Sequence, residues 1–153
     1  MIERLDNKSL SISGKLYSLW QESYLVEAEI LKAVKFPPLQ RKCQGFIDSN
    51  SEFYGAIEND EIISAIEIVG LEEGRHIQSL VVHPNHFKKG LASKLIKYAL
   101  IKYEFESVFT VETGLDNIPA ISLYLKHGFV EQTQFDTDHG VRKIRLILTR
   151  IKN

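Results

Sequence analysis

The 153-residue chain sets 19 Lys and Arg against 20 Asp and Glu, for a net charge of -1. It therefore has no overall field to draw nucleic acid or an anionic membrane surface, and any anion site must be local. An apolar fraction of 44% and a charged fraction of 25% are those of an ordinary globular protein, so one domain over residues 1–153 is expected. The single cysteine, Cys43, excludes an intrachain disulfide and a cysteine-based metal cluster, and it reads as a packing residue rather than a nucleophile. The N-terminus lacks the apolar core of a signal peptide, and no apolar run approaches the ~18 residues that span a bilayer. A cytoplasmic protein with no membrane partner is the expectation.

Ile2 to Leu5 predicts a short strand, with Asn7 as the cap of a following helix. Leu16, Leu19, Trp20, Leu25, Ala28, Ile30, Leu31 and Val34 recur at helical spacing, so one or two helices reach about Val34. Phe36-Pro37-Pro38-Leu39 breaks the pattern, and a further helix is predicted over 40–47, ending in Asp48-Ser49-Asn50-Ser51. Phe53 to Ile57 and the alternating run Ile62 to Val69 predict a hairpin around Glu58-Asn59-Asp60-Glu61. A strand from His76 to Val82 stops at His83-Pro84-Asn85. A helix from Gly90 to Tyr103 then shows Leu91, Leu95, Ile96, Ala99, Leu100 and Tyr103 on one wide apolar face. Ser107 to Glu112 is a strand, and Pro119 opens a helix that runs to about Lys126 and ends at Gly128. Val130 to Gln134 and Val141 to Thr149 close the chain as a hairpin.

This order predicts an α+β (mixed α/β) domain with a largely antiparallel sheet. The strands at His76 and Ser107 are joined by a helical crossover and should lie parallel, and a cleft where they part is the natural place for a ligand. The start of the crossover helix, Lys88-Lys89-Gly90-Leu91-Ala92-Ser93, carries little side-chain bulk and two lysines. Free amides at a helix N-terminus, backed by its dipole, suit a phosphate-bearing ligand. Gly90-x-Ala92 alone is a weak signal, since close packing accounts for many such starts. Asn117 alone reads as a helix cap, and Tyr124 alone as a packed helical tyrosine.

Taken together, Val82-x-Pro84, Gly90-x-Ala92 and Asn117-x-x-Ala120-x-x-Leu123-Tyr124-x-x-x-Gly128-Phe129 closely resemble the GNAT superfamily of acyl-CoA-dependent N-acetyltransferases. The resemblance covers about Phe53 to Thr149. It implies a single GNAT-like fold of six or seven strands and about four helices, in which two central parallel strands splay as a V and hold acetyl-CoA. Leu80, Val81 and Val82 would pair with the pantetheine arm, and the amides of Lys88, Lys89, Gly90, Leu91, Ala92 and Ser93 would cradle the diphosphate. Asn117 would touch the cofactor near its thiol, and Tyr124 would be the general acid for the departing thiolate. Phe87 stands where the family usually has Gln or Arg, and Lys88 would supply the charge instead.

The implied reaction moves an acetyl group from acetyl-CoA to a primary amine, on a small molecule or an exposed protein site, by direct attack in a ternary complex. An amide near Leu80 would bind the oxyanion. Glu67 is the first choice for the base, ahead of Glu112, His76 and His139, while Gln78 can only orient water. Trp20, Tyr24, Glu22, Glu27 and Glu29 fall in the segment that lines the acceptor side in this family. The histidines lack metal-site spacing, so no metal is expected. A homodimer is common in the family. The rival reading is a non-catalytic acyl-CoA-binding or sensing module on the same fold. A nucleotide-binding protein would need Gly-x-x-x-x-Gly-Lys-Ser/Thr or Gly-x-Gly-x-x-Gly, which the chain lacks.

Overall fold

The computed structural model describes residues 1–151. Strand β1 (Ile2–Leu5) leads into α1 (Leu10–Leu31), one unbroken helix. Its cap is Ser9, whose hydroxyl accepts from the Ile12 N–H at 3.4 Å, and not Asn7. Asn7 is buried instead and donates to the carbonyls of Phe46 and Ser49 at 2.7 and 3.0 Å, tying the helix entry to a distant loop. The buried stripe of α1 is Leu16, Leu19, Trp20, Ser23, Tyr24 and Ala28. Leu25 and Ile30, expected inside, lie off that stripe and are exposed, and Val34 falls beyond the left-handed end of the helix at Lys32.

The helix expected over 40–47 is two short ones, α2 (Pro37–Gln40) and α3 (Cys43–Ile47). Arg41 and Lys42 between them are extended, which breaks the helical path. Strands β2 (Glu52–Glu58) and β3 (Glu61–Leu71) form the expected hairpin. Its turn residues Asn59 and Asp60 both have positive φ, 51° and 64°, as a tight two-residue hairpin turn requires. Ile62 to Ile68 are buried without a break, so β3 does not alternate inside and outside as its sequence suggests. It is an inner strand covered on both faces.

The remaining elements are β4 (Gly74–Val82), a 3-10 turn (Pro84–His86), α4 (Leu91–Lys102), β5 (Val108–Gly114), α5 (Ile118–Lys126), β6 (Val130–Phe135) and β7 (Lys143–Thr149). The fold class is the mixed α/β one expected: a seven-stranded sheet in the order β1-β2-β3-β4-β5-β7-β6, antiparallel except for β4 and β5. Helices α4 and α5 cover one face, over Ile66, Ile77, Phe109, Val111 and Leu146. Helices α1 to α3 cover the other, over Leu5, Phe53, Ala65 and Val81. No helix among the described residues is long and apolar enough to cross a membrane.

The sheet divides at its middle. β4 and β5 pair through only three positions, Arg75 with Phe109, His76 with Thr110 and Ile77 with Val111. On its other edge β4 slips by one residue against β3. Ile77 faces Ile68 and Ser79 faces Glu67, so Gln78 is the extra residue of a bulge. Beyond that point the two parallel strands separate. Below it they are pressed together, because a Cβ on Gly74 would sit 2.2 Å from the Val108 carbonyl oxygen. Gly74→Ala should therefore lower stability by about 1–3 kcal/mol by forcing these strands apart. Thermal unfolding followed by circular dichroism measures this, and an unchanged midpoint would show that the approach is looser than described.

Candidate active site

The start of α4 is built by backbone conformation. Lys88 and Gly90 both take left-handed φ, 63° and 75°, so the chain turns sharply before the helix begins. The first helical hydrogen bond runs from the Lys94 N–H to the Gly90 carbonyl at 3.1 Å. The amides of residues 88–93 have no protein acceptor among the described residues, as the opening of a helix dictates. A Cβ on Gly90 would meet nothing within 4 Å, so the space over these amides is open. With Lys88 and Lys89 beside it, this donor set fits a diphosphate such as that of coenzyme A. The Ser93 hydroxyl pairs with His127 Nε2 at 2.7 Å, and burial holds that imidazole below its usual pKa. Phe87 is exposed and contributes no polar group.

At the fork, Tyr124 on α5 is buried against Phe129, with ring centroids 5.4 Å apart. Burial, then the nearby Tyr24 and Glu27, push its hydroxyl well above the ordinary tyrosine range. Asn117 caps α5, its Oδ1 accepting from the Ala120 N–H at 3.3 Å. That bond fixes which way the amide points. Its nitrogen donates to Glu27 Oε1 at 2.8 Å. On β4, Leu80 packs on the α4 face and Val81 on the α1 face, and the Val82 carbonyl accepts from the Ser23 hydroxyl.

On the α1 side the fork opens into a cavity of about 470 Å³. Gln78 and Ser79 line it from β4, Glu112 to Gly114 from β5, and Trp20, Tyr24 and Glu27 from α1. Arg41, Glu67, His139 and Lys143 complete its polar wall. Three carboxylates meet here in different states. Glu67 is 2% exposed and saturated: Oε1 accepts from Arg41 Nη1 at 2.8 Å and from the Ser79 hydroxyl at 3.1 Å, and Oε2 from Arg41 Nη2 at 3.1 Å. Glu112 pairs with Arg145 at 2.7 Å. Glu27 has no cation within ion-pair distance among the described residues, and burial pushes it up to about 7 against the opposing pull of Lys143 and Asn117.

Of the sequence candidates, Glu67, Glu112, Gln78 and His139 all reach this cavity, as do Trp20, Tyr24 and Glu27. His76 does not line it. Its Nδ1 meets the Thr110 hydroxyl at 2.7 Å, within the paired part of the strands, and burial lowers its pKa. Glu22 contacts His83 on another face, and Glu29 is exposed. Cys43 is half-buried beside Ser13. Sequence reasoning missed Arg41, whose guanidinium also stacks 4.1 Å from the Phe46 ring centroid. Its only signal was an Arg-Lys pair that reads as solvated. Among the described residues no group of three or more His, Cys, Asp or Glu is placed to hold a metal ion.

The model of the acetyltransferase (GNAT) family matches residues 14–129, and the chain belongs to that family. It is 29% identical over 161 residues to the UPF0157 protein YqkA of Bacillus subtilis (strain 168), which covers 97% of this chain and 46% of that one. It is 34% identical over 86 residues to a streptothricin acetyltransferase of Escherichia coli, covering 54% of this chain and 49% of that one. The chain thus spans about half the length of these curated relatives. The PaiA N-acetyltransferase of Thermoplasma acidophilum, solved in complex with coenzyme A, aligns with a TM-score of 0.76 at 16% identity, over 98% of this chain and 99% of that one. At that identity the likeness is one of fold.

Arg41→Met should leave the Glu67 carboxylate buried and unpaired, at a cost of about 3–5 kcal/mol. Adding Glu67→Gln should return most of that loss. Denaturant unfolding of the single and double variants is the check, and equal stability of wild type and Arg41→Met would show that the pair is not holding the cavity wall.

Proposed function

We propose that residues 1–153 act as one acetyl-CoA-dependent N-acetyltransferase domain that moves an acetyl group to a primary amine in a ternary complex. The observation that carries this reading is the fork itself. The open amides of α4 follow β4, the buried phenol of Tyr124 follows β5 within reach of Glu27's charge, and a cavity rimmed with carboxylates, which Tyr124 itself does not line, lies on the α1 side of the gap. The amides of residues 88–93 hold the diphosphate, and the β4 backbone at Leu80, Val81 and Val82 receives the pantetheine arm. Asn117 keeps one amide hydrogen for the cofactor, since Glu27 uses only the other. The acceptor is a small-molecule amine or a protein amine that enters the cavity of about 470 Å³ from the α1 side. We place the protein in the cytoplasm, in keeping with one unpaired cysteine.

The amine nitrogen attacks the thioester carbon while an amide near Leu80 holds the oxyanion. Tyr124, kept neutral by its burial, donates to the sulfur as the C–S bond breaks. A binding module would have no use for a phenol at that point, which favours the enzyme over the sensor.

Two variants test the reading. Tyr124→Phe should slow turnover about 10²–10⁴-fold with coenzyme A affinity little changed. Thiol release from acetyl-CoA with a panel of amines gives the rate, and an unchanged rate removes the proposed acid. Gly90→Val fills the space over the free amides, and its left-handed φ adds strain of about 1–3 kcal/mol. Titration calorimetry on the folded variant should show coenzyme A affinity reduced at least tenfold, whereas wild-type affinity would contradict the diphosphate cradle.

A further inference from the structure

Among the carboxylates at the fork, only one combines an unpaired charge with a fixed position. Glu27 Oε1 is held by Asn117 at 2.8 Å, and Asn117 cannot flip because its own oxygen caps α5. Oε2 has no protein partner among the described residues, and the residue lines the cavity. Glu67, the sequence-based choice for the base, has donors on both oxygens from Arg41 and Ser79, so taking a proton would break a bidentate ion pair. Glu112 is paired with Arg145. His139 lies in the same wall, with Nδ1 3.4 Å from Asp138 and Nε2 without a partner.

We infer that Glu27 is the group that accepts the proton from the acceptor amine, with Asn117 as its positioning residue. This rests on the acetyltransferase reading above. A primary amine arrives largely as ammonium, since its pKa is about 10.4 in water. A carboxylate without a competing cation draws that ammonium into the cavity, and desolvation there lowers the amine's own pKa. The proton passes from nitrogen to Glu27 Oε2 and the freed lone pair forms the C–N bond. The thioester C–S bond breaks and the sulfur takes a proton from Tyr124; the second proton that the nitrogen sheds as it becomes an amide, and the one held on Glu27, leave to solvent, and solvent returns one of them to the Tyr124 phenolate. Acetyl-CoA and amine become acetamide and free thiol.

The surroundings of Glu27 suit that role at neutral pH. Tyr24 on its own helix and Tyr124 across the fork are neutral. Arg41 is neutralised by Glu67 on β3, and Arg145 by Glu112 on β5. His139 stands at the β6–β7 loop, and Lys143 on β7 is the one cation that acts on Glu27. Burial raises the carboxyl to about 7, and Lys143 keeps it from rising further. A base is most effective when its pKa lies near the working pH. Activity should therefore be lost as pH falls through about 7, where Glu27 becomes protonated.

The test is the pH profile of kcat/KM, read by thiol release with an amine that the wild type accepts. Glu27→Gln should lower the rate about 10²–10⁴-fold and abolish the acid limb, with acetyl-CoA affinity by calorimetry little changed. Lys143→Met should move the limb to higher pH, because the cation that favours the charged carboxylate is gone. His139→Gln should leave the limb where it is. A limb that survives Glu27→Gln, stays fixed in Lys143→Met, or disappears in His139→Gln overturns the assignment of Glu27 while the acetyltransferase reading stands. A wild type that binds coenzyme A but acetylates no amine overturns both.

Discussion

The organising constraint of this fold is how early β4 and β5 stop pairing. A parallel pair in the middle of a sheet is usually continuous, because an unpaired buried amide or carbonyl is costly. Here the pairing ends at Ile77 and Val111. Two features enforce that. The bulge at Gln78 shifts the register of β4 on its β3 edge, so Ile77 stays in the core under α4 while Ser79 turns to the α1 side. Gly74 allows close contact with Val108 at the base, so the strands are pressed together below the point where they part. Every element of the candidate site takes its position from that fork: the α4 amides follow β4, Asn117 and Tyr124 follow β5, and the cavity occupies the α1 side of the gap.

The strands, the crossover and the low-bulk start of α4 were legible in the sequence because their signals are local. Gly90, Pro119 and Gly128 are punctuation whose meaning depends on a few neighbours. The first third was read less well. Ser9 and Asn7 are both competent caps by type. Only the distant carbonyls of Phe46 and Ser49 decide that Asn7 is drawn away. The sequence pattern makes the apolar face of α1 too wide, because Leu25 and Ile30 are hydrophobic yet lie off the contact stripe. Arg41 was invisible as a site residue, since its partner Glu67 stands 26 positions away on a strand that meets it only in the folded chain.

Arg41 also explains how the cavity wall tolerates a carboxylate at 2% exposure. A buried charge needs a partner and satisfied lone pairs. Glu67 has both, from a guanidinium that is itself stacked on Phe46 and so carries little rotational freedom. On the proposed reading, the same argument makes Glu67 a support rather than the proton carrier. Its environment is complete without a substrate, whereas Glu27 keeps one oxygen uncommitted.

One physical cause then sets both ends of the proposed proton path. Burial disfavours the charged form of any acid, but its effect depends on where the group starts. A carboxyl begins far below neutrality, so the same desolvation that raises Glu27 brings it to about 7, where it can exchange a proton. A phenol begins above neutrality, so burial drives Tyr124 further from ionisation, which keeps it protonated but makes it a weaker acid. The two groups sense each other across the fork, and the negative charge of Glu27 reinforces the protonated state of Tyr124. In the proposed path the base on the amine side and the donor on the sulfur side need no opposite machinery: both follow from burial beside the gap between two strands, and each is carried by a helix on one face of the sheet.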